Sequence, residues 1–283
     1  MLGSEKSNVH QYPDTVVING GTLKDPDDIY SYSSNSTTIV VPEGAKGTWT
    51  LDARCDYKGK LLGKGELTVN VTSVRSNMTG DWSQFAGTIN FQNTKTGSYD
   101  PLLQWNNTYG LGNATVKGTF ENAGKDVTIG RIAEKVSITG NGRTTVKKLE
   151  LKVSKSRSGI IVPAVEIAGA FIVSEAITIT HSGYDFKVGD RVTLWKAKSL
   201  QTTSNTVVTL PELPEGLYWD TSGLLKAEGV LKVTNEPTGI KAIGNGQLTT
   251  DDSIYDLRGR KMPDGVTLPK GIYIKNGKKI VIK

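Results

Sequence analysis

Short runs of alternating apolar and polar residues, each opened by a glycine, recur in the first half of this chain: Gly47-Thr-Trp-Thr-Leu51, Gly65-Glu-Leu-Thr-Val-Asn-Val71, Gly87-Thr-Ile-Asn-Phe91 and Gly118-Thr-Phe120. Alternation is the period of a β-strand, so Trp49 with Leu51, Leu67 with Val69 and Val71, and Ile89 with Phe91 turn to one side. The runs return at intervals of roughly 18 to 31 residues, the length of one coil of a parallel β-helix. A single coil cannot bury its apolar side alone, so successive coils must stack and share one core.

Denser runs follow from Asp126: Asp126-Val-Thr-Ile-Gly130, Lys135-Val-Ser-Ile-Thr139, residues 144–153 and residues 164–173. They read as strands on successive faces of the same solenoid. Asn122-Ala-Gly124, Asn141-Gly142 and Ser182-Gly183 supply the corners, where positive φ is needed. The expected fold class is all-β, with the parallel β-helix spanning residues 36–182. Its inward set is Leu67, Val69, Ile89, Phe91, Val116, Ile129, Val136, Ile138, Val146 and Ile167. Residues 1–35 are polar, carry Pro13, Pro26 and many serines, and are expected to form an irregular N-terminal cap.

Composition agrees with many short strands: 32 glycines, few aromatics and no long stretch of helical period. The formal net charge is +6, but residues 239–283 hold nine Lys or Arg against four Asp or Glu, so nearly all of it lies in the tail. That distribution argues against a basic nucleic-acid face. Cys55 is the single cysteine, which rules out an intramolecular disulfide. No stretch approaches the roughly 20 apolar residues of a transmembrane helix. Met1-Leu-Gly-Ser has no apolar signal-peptide core, and Met1 to Ser4 read as a cloning scar on a piece of a longer precursor.

Three stretches resemble known families. Residues 63–91, GKGELTVNVTSVRSNMTGDWSQFAGTINF, resemble the autotransporter-associated β-strand repeat, with Trp82, Phe85, Gly87 and Thr88 filling its W-x-x-F-x-G-T turn. Residues 186–195 and the run LPELPEGLYWDTSGLLKAEGVLKV (210–233) resemble the segment that ends such arrays. Together these resemblances imply a right-handed parallel β-helix with a C-terminal β cap over residues 183–238. A cap is needed because an open solenoid end exposes unpaired backbone groups, and Pro211 and Pro214 suit a terminal position. Finally, IYDLRGRK (254–261) and KGIYIKNGKKIVIK (270–283) resemble the C-terminal sorting signal of type IX secretion in Bacteroidota. That likeness implies a small β sorting segment over 239–283, a secreted or cell-surface location and the type IX machinery as a partner. The runs at 254–257 and 271–282 suit a small hairpin-based unit.

Catalytic groups are sparse. His10 and His181 have no nucleophile-elbow motif and are expected at surface or cap positions. Asp25, Asp27 and Asp28 have the oxygen chemistry for calcium, against the plainer reading of a solvated turn. Asp52 and Asp56 suit a glycosidase pair by spacing, but Arg54 between them is expected to hold both ionised.

Sugar recognition has the better case, because it asks for aromatic faces and planar polar side chains. The segment 99–109 supplies Tyr99, Trp105, Asn106, Asn107 and Tyr109, with Trp105 expected to be exposed at a strand exit. Arg54 and Tyr57 are expected to extend the same side. Trp82, Trp195 and Trp219 are expected to be structural. The layout resembles a β-helix carbohydrate-binding module of a secreted xylanase. The expected function is therefore a non-catalytic module that targets an upstream catalytic domain to plant polysaccharide, preferably xylan. A structural or adhesive stalk and a polysaccharide lyase or hydrolase are the alternatives.

Overall fold

The structure, a computed structural model, describes residues 13–24, 33–52, 54–156, 159–183, 185–236, 254–256, 261–262, 268–275 and 278–282. It is all-β: no helix occurs among the described residues, and most strand pairings are parallel. The chain divides into two units, residues 1–242 and 243–283.

In the first half of the larger unit, strands fall into three parallel columns. The first stacks Thr15–Val17, Thr38–Val41 and Leu61–Gly63. The second stacks Thr22–Lys24, Lys46–Leu51, Glu66–Val71, Thr88–Asn93 and the middle of Leu111–Glu121. The third stacks Ser33–Asn35, Cys55–Tyr57, Arg75–Met78, Leu102–Trp105, the end of Leu111–Glu121, Val136–Thr139 and the start of Val165–Ser182. Because the chain passes through the columns in turn, Trp49, Val69 and Phe91 occupy successive levels of one ladder.

The core is what alternation predicts. Leu67, Val69, Ile89, Phe91, Val116, Ile129, Val136, Ile138, Val146 and Ile167 are all buried. A run of rings fills the middle: Trp49 meets Tyr57 edge-on at 4.9 Å, Trp82 meets Trp105 edge-on at 5.6 Å, and Phe91 lies 4.9 Å from Phe120. The recurring glycines have a steric reason. A Cβ on Gly87 would stand 2.0 Å from the Gly65 carbonyl oxygen, and one on Gly80 would stand 2.0 Å from that of Gly59. Adjacent levels meet backbone to backbone at these corners, and a side chain would force them apart.

Three features differ from the expectation. The polar N-terminal segment is not irregular throughout: its three short strands, Thr15–Val17, Thr22–Lys24 and Ser33–Asn35, each pair in parallel with the following level. From residue 111 the strands lengthen and turn corners without breaking. Leu111–Glu121 pairs with Thr88–Asn93 up to Gly118 and with Val136–Thr139 from Gly118 onward, bending where φ is +91°. Strands Leu111–Glu121, Val127–Ile132, Thr144–Ser156, Val165–Ser182 and Val136–Thr139 thereby close a ring of parallel pairings. An antiparallel arm also appears, where Thr144–Ser156 pairs with Gly159–Ile161.

Past Ser182 the pairing changes sense. Arg191–Thr202 is parallel to Val165–Ser182 but antiparallel to Glu228–Thr234, which is in turn antiparallel to Tyr218–Gly223. Pro211 and Pro214 lie in the loop before Tyr218, outside any ladder. The smaller unit is a three-stranded antiparallel sheet of Ile254–Asp256, Gly271–Lys275 and Lys278–Ile282. There the buried Tyr273 donates its hydroxyl to the Pro269 carbonyl at 2.9 Å.

Candidate binding face

Cys55, Tyr57, Ser76, Met78, Leu103 and Trp105 of the third column are buried. The residues between them take the opposite parity, because side chains alternate along a strand; Asp56 and Gln104 are half-buried there and Asn77 is covered. This set is a continuous polar ladder. Ser34 is registered with Asp56, Asp56 with Asn77, Asn77 with Gln104, Gln104 with Glu121 and Glu121 with Thr139. Lateral hydrogen bonds tie it together: Asn77 Nδ2 donates to Asp56 Oδ1 at 2.8 Å, and Gln104 Nε2 donates to Glu121 Oε2 at 2.6 Å. Each tie fixes the plane of an amide, and the half-buried Gln104 keeps its amide oxygen as an acceptor on the outer side, whereas Asn77 is covered.

Next to Glu121 the ladder opens into a shallow depression of about 560 Å³, bordered by Gln104, Glu121, Gly124, Gly140, Asn141 and Ala168. The turn beside it is held by the buried Asn122, which donates to the Gly142 carbonyl at 2.9 Å and accepts the Gly142 N–H at 3.2 Å. Such a surface does not enclose a small molecule, as most small-ligand pockets do. It offers a row of hydrogen-bonding side chains to an extended one.

The residues picked from sequence divide across this face. Trp105 is 0% exposed and Tyr57 is 1% exposed, so neither can stack on a ligand. Both belong to the aromatic core. The reason is strand parity: Leu103 and Trp105 turn in together, which leaves Gln104 as the outward residue of that strand. Asn107 is also buried and structural. Its Nδ2 donates to the Met78 carbonyl at 2.9 Å and its Oδ1 accepts the Tyr109 N–H at 3.0 Å, which shapes the loop.

Asn106 and Arg54 are exposed. So are Tyr99 and Tyr109, at 49% and 59%, and their rings are open to a partner at either end of strand Leu102–Trp105. Gln104, Glu121 and Asn141, polar residues at the surface of this face, are not among those picked from sequence. Alternation against Leu103 and Trp105 was the signal that could have found Gln104.

Trp82, Trp195 and Trp219 are buried and donate their indole N–H groups to the carbonyls of Gly59, Lys226 and Pro211, in keeping with structural roles. His181 is exposed, and its ring lies 5.3 Å from that of Phe186. His10, Asp25, Asp27 and Asp28 lie outside the described residues. Asp52 is not held by Arg54. It pairs with Lys24 at 3.0 Å and accepts the Thr72 hydroxyl at 2.8 Å.

Two carboxylates, Asp81 and Asp220, are held below the usual range, first by the side-chain hydroxyls of Ser83 and Ser222 and then by the same residues' N–H groups. Each is a turn-forming aspartate that accepts from the residue two positions on. Neither is poised as a proton donor.

No protein-family model, curated protein or solved structure matches this chain.

Proposed function

We propose that this chain is a non-catalytic carbohydrate-binding module on a right-handed parallel β-helix, with an extended plant polysaccharide, xylan in the first instance, as its ligand. The observation that carries the reading is the outward ladder from Ser34 to Thr139. Its levels repeat at about 4.8 Å, close to the repeat of one ring in a linear glycan, so successive sugars can meet successive polar side chains. The exposed rings of Tyr99 and Tyr109 add the apolar faces that sugars stack on. An open row of this kind suits holding a polymer rather than cleaving it. The resemblance of residues 254–283 to a type IX sorting signal supports a secreted or surface-attached product that serves an upstream catalytic domain.

Affinity electrophoresis in gels containing xylan, mannan, β-glucan or pectin tests the function. Retardation without release of reducing ends is expected. Release would mean an enzyme, and the absence of both would favour a stalk. The sorting reading requires that removal of residues 239–283 abolish surface display in the native host, and undiminished display would refute it.

A further inference from the structure

Two arginines stand beside one end of the ladder. Arg54 lies two residues before Asp56 and Arg75 two before Asn77, and Asp56 and Asn77 are registered partners. The arginines therefore belong to neighbouring levels, about 4.8 Å apart along the stack. Both share the outward parity, and both are exposed.

Neither charge faces a carboxylate among the described residues. Among the described residues, Arg131, Arg143 and Arg191 each face a carboxylate, of Glu150 at 2.7 Å, Asp126 at 3.6 Å and Glu228 at 3.7 Å. Arg54 and Arg75 have no carboxylate within 4.0 Å among those residues. The acids nearest in sequence are engaged elsewhere, Asp52 by Lys24 and Thr72, and Asp56 by Asn77. On the next level Arg75 is registered with Leu102, and the exposed Tyr99 stands three residues before that leucine. Two guanidinium forks, an apolar residue and an open ring thus gather at one end of a row of hydrogen-bonding groups.

We infer that Arg54 and Arg75 form a subsite for the carboxylate of a uronic acid unit in a glycan lying along the ladder, which makes the ligand an acidic polysaccharide rather than a neutral one. This rests on the glycan-binding reading above. A guanidinium presents parallel N–H donors that match the two oxygens of a carboxylate, and charge-assisted bonds of this type are the stronger ones.

The test uses the full chain and three probes: glucuronate-bearing xylan, the same polymer with its carboxyls reduced to alcohols, and dextran sulfate as a polyanion without uronates. The native protein is expected to bind the acidic xylan roughly ten-fold more tightly than the reduced one. The double variant Arg54→Gln, Arg75→Gln should bind both at the level of the reduced polymer, with an unchanged melting curve because both side chains are exposed. Equal binding of acidic and reduced xylan by the native protein overturns the subsite and leaves the glycan-binding reading standing. A preference that survives in the double variant also overturns it. So does equally tight, arginine-dependent binding of dextran sulfate, which would mean a general polyanion patch. Binding to no polysaccharide at all overturns both readings.

Discussion

Gln104 and Glu121 stand side by side on neighbouring parallel strands, and the amide of the first donates a 2.6 Å hydrogen bond to the carboxylate of the second on the outer face of the stack. A bond to an ionised acceptor is stronger than one between neutral groups. The Gln104 amide is therefore held in one plane before any ligand arrives, which lowers the entropy lost on binding.

Replacing Gln104 with Ala removes a planar polar group from the middle of the ladder and leaves the core untouched. Xylan affinity should fall by about 1 kcal/mol, while stability stays within about 0.5 kcal/mol of the parent. Titration calorimetry and thermal melting measure the two effects separately. Unaltered affinity would place the sugar elsewhere.

Trp105 behaves in the opposite sense. Its side chain is 0% exposed and packs edge-on against Trp82, so Trp105→Ala should cost about 3–5 kcal/mol of stability through the cavity it leaves. Affinity of the protein that remains folded should not change. Urea denaturation together with titration at a temperature where the variant is fully folded decides the matter, and a stable variant with weakened binding would return Trp105 to the surface.

The fold was readable where alternation was clean. In Glu66–Val71 and in residues 88–92, apolar and polar residues strictly alternate, and the inward set follows directly. The proposed binding face was harder to read for a physical reason. Leu102 and Leu103 are adjacent, so the strand Leu102–Trp105 has two apolar candidates for its inward side, and the polar pair Asn106-Asn107 drew attention to the wrong phase. A shift of one residue exchanges the two faces. Tyr57 failed the same test: if Arg54 and Asp56 face out, Tyr57 must face in. The lateral ties from Asn77 to Asp56 and from Gln104 to Glu121 bridge residues far apart in the chain, and only the register between strands brings them together. The closed ring of strands after residue 111 depends on strands that turn corners, which a local period does not report.

The glycine corners carry their own expectation. A Cβ on Gly87 meets the main-chain oxygen of Gly65 at 2.0 Å, and main chain cannot rotate away as a flexible side chain can. Gly87→Ala should therefore destabilise by about 1–3 kcal/mol or more. Gly97→Ala, where nothing lies within 4 Å of the added atom, should be neutral or stabilise by up to about 1 kcal/mol. Denaturation midpoints of the two variants give the comparison, and equal midpoints would contradict backbone-to-backbone stacking at Gly87.

The most direct measurement follows side-chain amide resonances by NMR while xylan oligosaccharides are added to the protein. The expected result is a set of saturable shifts at Gln104 and Asn141, with those of the buried Asn122 little changed. Saturable shifts confined to amides off the ladder, such as those of Asn90, Gln92 and Gln201, or no shifts at any ligand concentration, would contradict the assignment of the Ser34–Thr139 ladder as the glycan-binding face.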